Sequence, residues 1–325
     1  MAHVASPGRQ RIAVSMGDPN GIGPEILAAC LRDEQLGERV EIVAVGSAPV
    51  LEYYLERGGE PLPDVTIEPV DANPEFRLLP GRADTHAGSL AMHSVARAIT
   101  LCQEGRVDAM TTCPISKEVI ARAGFDFPGH TEFIAEKTGS AEVLMMMVAD
   151  ALRVGLVSAH VPLSKVAQSV TAESVSRTVR LMAHSLRRDF GIDRPRIAVF
   201  GLNPHAGDGG VLGMEEIEII APTLASLAET AELSGPFPAD GFFGSGAWKH
   251  VDGVVAMYHD QGLAPFKALS FGRGVNFSAG LPIVRTSPDH GTGFDIAGAG
   301  KADPSSLKAA LLLAADIAIQ RAGAR

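Results

Sequence analysis

Residues 11–26 read RIAVSMGDPNGIGPEI, and the reading of this stretch decides the fold class. RIAVSM (11–16) is a short apolar run without polar alternation, the pattern of a strand buried on both faces. Gly17, Gly21 and Gly23 allow tight turns, and Pro24-Glu25 suits the first turn of a helix. The same grammar continues outward. EIVAVG (41–46), VDAMTT (107–112), VLMMMV (143–148), RVGLVS (153–158), RIAVFG (196–201), GVVAMY (253–258) and LPIVRT (281–286) read as strands, with helical stretches between many of them. The clearest helix covers 305–321, where Asp303 can cap, Pro304 suits the first turn, and Leu307, Ala310, Leu311, Ala314 and Ile317 share one face. The expected fold is α/β with mostly parallel sheet. The glycine spacing after the first strand is not GxGxxG, so a tight βα turn is the better reading than a dinucleotide fingerprint.

The chain has 325 residues, a length that suggests two domains. Lys+Arg 28 against Asp+Glu 38 gives a net charge of -10, which argues against nucleic-acid binding and leaves room for small anionic substrates. MAHVASPGRQR lacks the apolar stretch of a secretory signal. The richest apolar run, VLMMMVADALRVGLVSA, is broken by Asp150 and Arg153, so no membrane span and a cytoplasmic location are expected. Cys30, Cys102 and Cys113 are far apart and form no CxxC pair, which points to neither a disulfide framework nor a cysteine zinc site.

Three histidines stand just beyond strands: His160 in SAHVPL, His205 in GLNPHAGDGG and His259 in AMYHDQG. Ligands of open α/β sheets bind outside the carboxyl ends of strands, so these imidazoles can converge on one divalent metal ion with an open catalytic position. For any one of them, a capped or solvated loop residue is the ordinary alternative. RTSPDHGTGFDIAGAGKADP carries Gly291, Gly293, Gly298 and Gly300, with His290 able to stack on a base and Asp295 able to accept from a ribose hydroxyl; a glycine-rich surface loop is the plainer reading. A basic group comprises His130 and Thr131 (PGHTEF), Lys267 (APFKAL) and Arg285 (PIVRTS), which suit phosphate or carboxylate; Lys117 is an acid/base or anion candidate of the same kind. Each taken singly is as readily a solvated charge.

GDPNGIGPEI, CPISKEVI, FPGHTEF, LNPHAGDGG, FPADGFF, MYHDQGLAPFK and RTSPDHGTGFDIAG together resemble the 4-hydroxythreonine-4-phosphate dehydrogenases of vitamin B6 biosynthesis along nearly the whole chain. That family is in turn similar to isocitrate and isopropylmalate dehydrogenases, whose related loop holds the adenine end of the nicotinamide cofactor. The resemblance implies two α/β domains with a cleft between them, here drawn as 1–125 plus 287–325 and 126–286. It implies one divalent ion (zinc, magnesium or cobalt) on His160, His205 and His259, substrate contacts from His130, Thr131, Lys267, Asn276 and Arg285, and NAD or NADP at His290, Gly291 and Asp295. It also implies a homodimer whose active sites take residues from both subunits. Lys267 and Asp240, the latter in FPADGFF, are the candidates for the base. One departure stands out: Thr112-Cys113-Pro114 replaces the family's usual TGP, and a side chain at 113 can crowd a substrate.

The implied reaction is oxidation of 4-phosphooxy-L-threonine at C3 to 2-amino-3-oxo-4-phosphooxybutanoate, which decarboxylates to 3-amino-2-oxopropyl phosphate. Related dehydrogenases of phospho-D-threonate or a dihydrodiol carboxylate share much of the framework. A metal-dependent hydrolase would use the same three histidines without the glycine-rich loop.

Overall fold

The computed structural model describes residues 8–58, 65–127 and 129–323. The first seven residues of the MAHVASPGRQR reading and Pro128 of FPGHTEF lie outside them. Eleven strands are formed among the described residues: β1 (Gln10–Ser15), β2 (Val40–Gly46), β3 (Thr66–Pro69), β4 (Ala109–Thr112), β5 (Leu144–Ala149), β6 (Leu152–Ser158), β7 (Arg196–Phe200), β8 (Glu232–Phe237), β9 (Gly253–Tyr258), β10 (Val275–Ala279) and β11 (Arg285–Pro288). The chain divides into two compact units, Met1–Ala141 with Leu281–Ala322, and Glu142–Gly280 with the last three residues.

In the first unit the strand order is β3-β2-β1-β4-β11, and every pairing is parallel. Ile12, Ala13 and Val14 of β1 are fully buried, as the unbroken apolar run predicts. The helix Thr85–Gln103 starts where Asp84 accepts from the Ala87 N–H, and it packs on β1, β2 and β4. The last helix, Ser305–Gly323, buries Leu307, Ala310, Leu311, Ala314 and Ile317. Asp303 accepts from the backbone N–H and hydroxyl of Ser305, closing its start.

The expected boundaries are 125/126 and 286/287, whereas the chain crosses between units at 141/142 and 280/281. Two contacts account for the difference. Helix His130–Thr138 packs on Thr85–Gln103, and β11 pairs with β4 through Arg285 and Met110.

In the second unit the order is β10-β5-β6-β9-β7-β8. β5 runs antiparallel to both its neighbours, and the remaining pairings are parallel. The richest apolar run of the sequence is therefore a hairpin: β5 and β6 are joined through Asp150, whose φ of 49° makes the turn. Among the described residues no helix is long and apolar enough to cross a membrane. Helix Ala172–Arg188 begins in a Thr171–Ser174 capping box and buries Val175, Val179, Met182 and Leu186. Gly155 of β6 gives it room, because a Cβ there would lie 2.8 Å from the Met182 methyl.

Candidate active site

β6, β9 and β7 are adjacent and parallel, so their carboxyl ends lie side by side in the second unit. Each is followed by one of the three histidines. His160 and His259 line one cavity of about 590 Å³ together with Tyr258 and Asp260, and their ring centroids are 6.0 Å apart. His259 Nδ1 lies 2.7 Å from Asp260 Oδ1, so Nδ1–H donates to the carboxylate and the Nε2 lone pair is directed away from it.

His205 lines a second cavity, of about 380 Å³, with Asn203, Asp240 and Gln261; Tyr258 borders both. The backbone from His205 to Gly209 is left-handed throughout, with φ of 54°, 52°, 84°, 43° and 64°. His205, Ala206 and Asp208 have no glycine freedom, and left-handed backbone costs each about 1–2 kcal/mol. Strain of this kind concentrates at functional sites. Among the described residues no three His, Cys, Asp or Glu side chains come together to hold a metal ion. Within one chain, His160 and His259 share a cavity, and His205 lines the neighbouring one with Asp240.

The first unit assembles a cationic group. Arg285, at the start of β11, is 2 % exposed and donates from Nε and Nη2 to Thr112 Oγ1 at 3.2 and 2.7 Å. Burial lowers its pKa to about 10, opposed by the Glu132 carboxylate, so it stays charged at neutral pH. His130 and Thr131 open helix His130–Thr138, and the His130 Nε2 is buried without a hydrogen-bond partner. Burial, then the charges of Arg285 and Lys117, hold the His130 ring neutral far below the ordinary histidine range. Lys117 starts helix Lys117–Arg122 behind the Ser116 cap. In the second unit Lys267 is exposed on helix His259–Ser270, and Asn276 of β10 has a buried, unpartnered Oδ1.

A family model described as pyridoxal phosphate biosynthetic protein PdxA matches residues 38–314. The chain belongs to the PdxA family. It is 44% identical over 330 aligned residues to a 4-hydroxythreonine-4-phosphate dehydrogenase of Prosthecochloris aestuarii, covering 95% of this chain and 97% of that one. The crystal structure of the Klebsiella pneumoniae 4-hydroxythreonine-4-phosphate dehydrogenase aligns with a TM-score of 0.85 at 39% identity, covering 96% and 99%. A terephthalate 1,2-cis-dihydrodiol dehydrogenase from Burkholderia xenovorans LB400 aligns less well, at 0.66 and 30%, covering 94% and 98%.

Against this PdxA background the odd residue at 113 has a structural answer. Cys113 is fully buried, and its Sγ lies 3.8 Å from the Gly23 carbonyl. Its Cβ lies 3.0 Å from where a Cβ on Gly17 or Gly23 would be, so it fills space those glycines leave. The thiol is pushed upward by burial and is inert. The expectation that Cys113 crowds a substrate is withdrawn.

The PdxA glycine-rich loops meet each other within the first unit. Ile22 N–H donates to Thr292 O at 2.8 Å, and the Glu25 carboxylate accepts from Gly298 and Ala302 N–H at 2.9 and 3.2 Å. GDPNGIGPE is thus a tight turn that supports the C-terminal loop. In that loop His290 Nδ1 is 3.0 Å from Gly291 O, its Nε2 is buried and unpartnered, Asp295 is exposed, and a Cβ on Gly291 would meet open space. Sequence reasoning did not single out Asp18, Glu25 as a loop holder, or Glu216. The only signal for the last was an acidic cluster, Glu215, Glu216 and Glu218, inside the otherwise apolar segment 211–221.

Proposed function

We propose that this chain oxidises 4-phosphooxy-L-threonine at C3 with a nicotinamide cofactor, giving an unstable 3-oxo acid that loses carbon dioxide to 3-amino-2-oxopropyl phosphate. The carrying observation is the His130 Nε2, buried without a partner beside the charges of Arg285 and Lys117. A neutral ring in its Nε2–H tautomer donates to an oxyanion, while the two cations supply the charge such a group needs. The identities support a phosphorylated substrate over a ring dihydrodiol, since relatives at 41% to 44% carry the former activity in their name and the dihydrodiol enzyme stands at 30%.

His160, His205 and His259 suit a divalent ion by donor chemistry, and the Asp260 contact orients His259 as such ligands commonly are. His160 and His259 share one cavity while His205 lines the neighbouring one, which supports a site completed in a homodimer with His160 and His205 contributed by different protomers. Large exposed apolar side chains flank these histidines: Val161 and Leu163 follow His160, and Val211, Leu212, Met214 and Ile217 follow His205. When bound, the ion would supply Lewis acidity at the substrate hydroxyl, and the nicotinamide would supply a hydride acceptor. The protein's part is orientation and proton handling. His130, Thr131, Lys267, Asn276 and Arg285 hold the anionic ends, His290, Gly291 and Asp295 receive the cofactor, and Lys267 or Asp240 takes the hydroxyl proton.

The test compares kcat/KM for 4-phosphooxy-L-threonine, phospho-D-threonate, the unphosphorylated acid and a dihydrodiol carboxylate, each with NAD and NADP. Loss of the phosphate is expected to cost at least about tenfold, or roughly 1.4 kcal/mol. Best turnover of the dihydrodiol or of an unphosphorylated acid would overturn the assignment.

A further inference from the structure

Something must hold the left-handed run at His205 in place, and the contacts lead to one side chain. Glu216 is 3 % exposed and opens a five-residue π-helical turn, Glu216–Ile220, a feature frequent at functional sites. Its Oε1 accepts from the Leu202 and Asn203 N–H groups at 2.7 and 2.8 Å, and its Oε2 accepts from Asn203 Nδ2 at 3.0 Å. The carboxylate also touches the far side of the turn. A Cβ on Gly207 would lie 2.7 Å from Oε2, and one on Gly201 would lie 2.8 Å from Oε1. Glu216 therefore braces the chain before His205 and after it, and it does so from within the fold.

We infer that Glu216 is the positioning residue for His205, fixing the strained turn so that the imidazole is presented to the divalent ion. This rests on the metal reading above. A carboxylate suits the place because three N–H groups converge on its two oxygens. Glutamine can keep the two backbone bonds at its single oxygen, but its amide would turn a donor toward the Asn203 donor.

The experiment titrates metal-free protein with Co²⁺, reading the dissociation constant by calorimetry and the ligand field by visible absorption. The variants are His205→Ala, Glu216→Gln, Glu216→Ala and, as a control on the exposed side of the same turn, Glu218→Ala. Glu216→Gln is expected to weaken Co²⁺ binding about ten- to hundredfold and to alter the spectrum, as loss of a ligand-orienting contact does. Its circular dichroism should match that of the parent protein, and Glu218→Ala should bind as the parent does. If Glu216→Ala fails to fold, the isosteric Gln variant decides alone. Weakened binding in His205→Ala with parental binding in Glu216→Gln overturns the inference. Parental binding in His205→Ala overturns the metal reading and the inference with it, so the two failures are distinguishable.

Discussion

Asp18 is a carboxyl almost sealed from water, at 1 % exposure. One oxygen accepts from the Asn20 N–H at 2.9 Å, and the other is buried without a partner. Burial raises its pKa to about 6; the Asn20 bond pulls the other way, and the Asp84 charge adds to the rise. The folded protein therefore binds this proton more tightly than the unfolded chain, whose carboxyl titrates near 3.8. The stabilisation is whole below that value, declines as pH rises, and is gone above about 6, a span worth roughly 3 kcal/mol. Asp18→Asn cannot ionise. Urea unfolding at pH 4.5 and pH 7.5 should show the parent losing roughly 2 kcal/mol of that span relative to the variant, the rest having gone below pH 4.5, while any cost of an unpaired Asn amide cancels between the two pH values. An equal gap at both pH values would rule the titration out. Asp18, Glu25 and Glu216 also mark where sequence reading stopped. An acidic residue in a chain reads as a solvated one, and only packing reveals that three of them are buried or hold backbone N–H groups. The histidines were legible for the opposite reason: a strand end fixes the place of the next few residues whatever lies far away in sequence.

At the level of elements, the strands found from sequence were those with continuous β-branched or apolar runs, and the missed ones have physical excuses. β3 is a four-residue edge strand ending at Pro69, β8 is an edge strand containing Gly235 and Pro236, and β10 alternates with Asn276 and Ser278. The strand expected at 281–286 begins only at Arg285, since Pro282 has no N–H to offer a ladder. The two glycine-rich loops were legible as separate motifs, but their mutual support was not. Glu25 links them with two charge-assisted bonds to Gly298 and Ala302. Glu25→Ala leaves both N–H groups without that acceptor and frees the loop that is proposed to receive the nicotinamide. The apparent KM for the cofactor should rise about fivefold, close to 1 kcal/mol, with the substrate KM changing less than about twofold. A change confined to the substrate KM would place the loop in the other half of the site.

For the whole molecule, the question is whether one chain is a complete enzyme. Topology brings the ends of β6, β9 and β7 together, yet His205 lies in a cavity apart from that of His160 and His259. Exposed apolar residues beside both positions, with Leu163 at 75 % and Val211 at 80 % exposure, fit a surface that is covered in an assembly. A site divided between protomers has a consequence no single-chain site shares. His160→Ala and His205→Ala should each be inactive alone. In a dimer with one copy of each, one site carries both lesions and the other carries neither, because its His160 and His205 come from the two unaltered positions. Random pairing makes about half the dimers mixed, each with one intact site of two, so co-expression of the pair should restore about a quarter of the parental activity and of the tightly bound metal. A double variant carrying both substitutions in one chain, co-expressed with itself, should restore nothing. Absence of recovery in the mixed pair, with the mixed dimer isolated through two different affinity tags, would mean that His160 and His205 of each site come from the same chain. The loop from His205 to Gly209 would then have to leave its left-handed course to reach the cavity of His160 and His259.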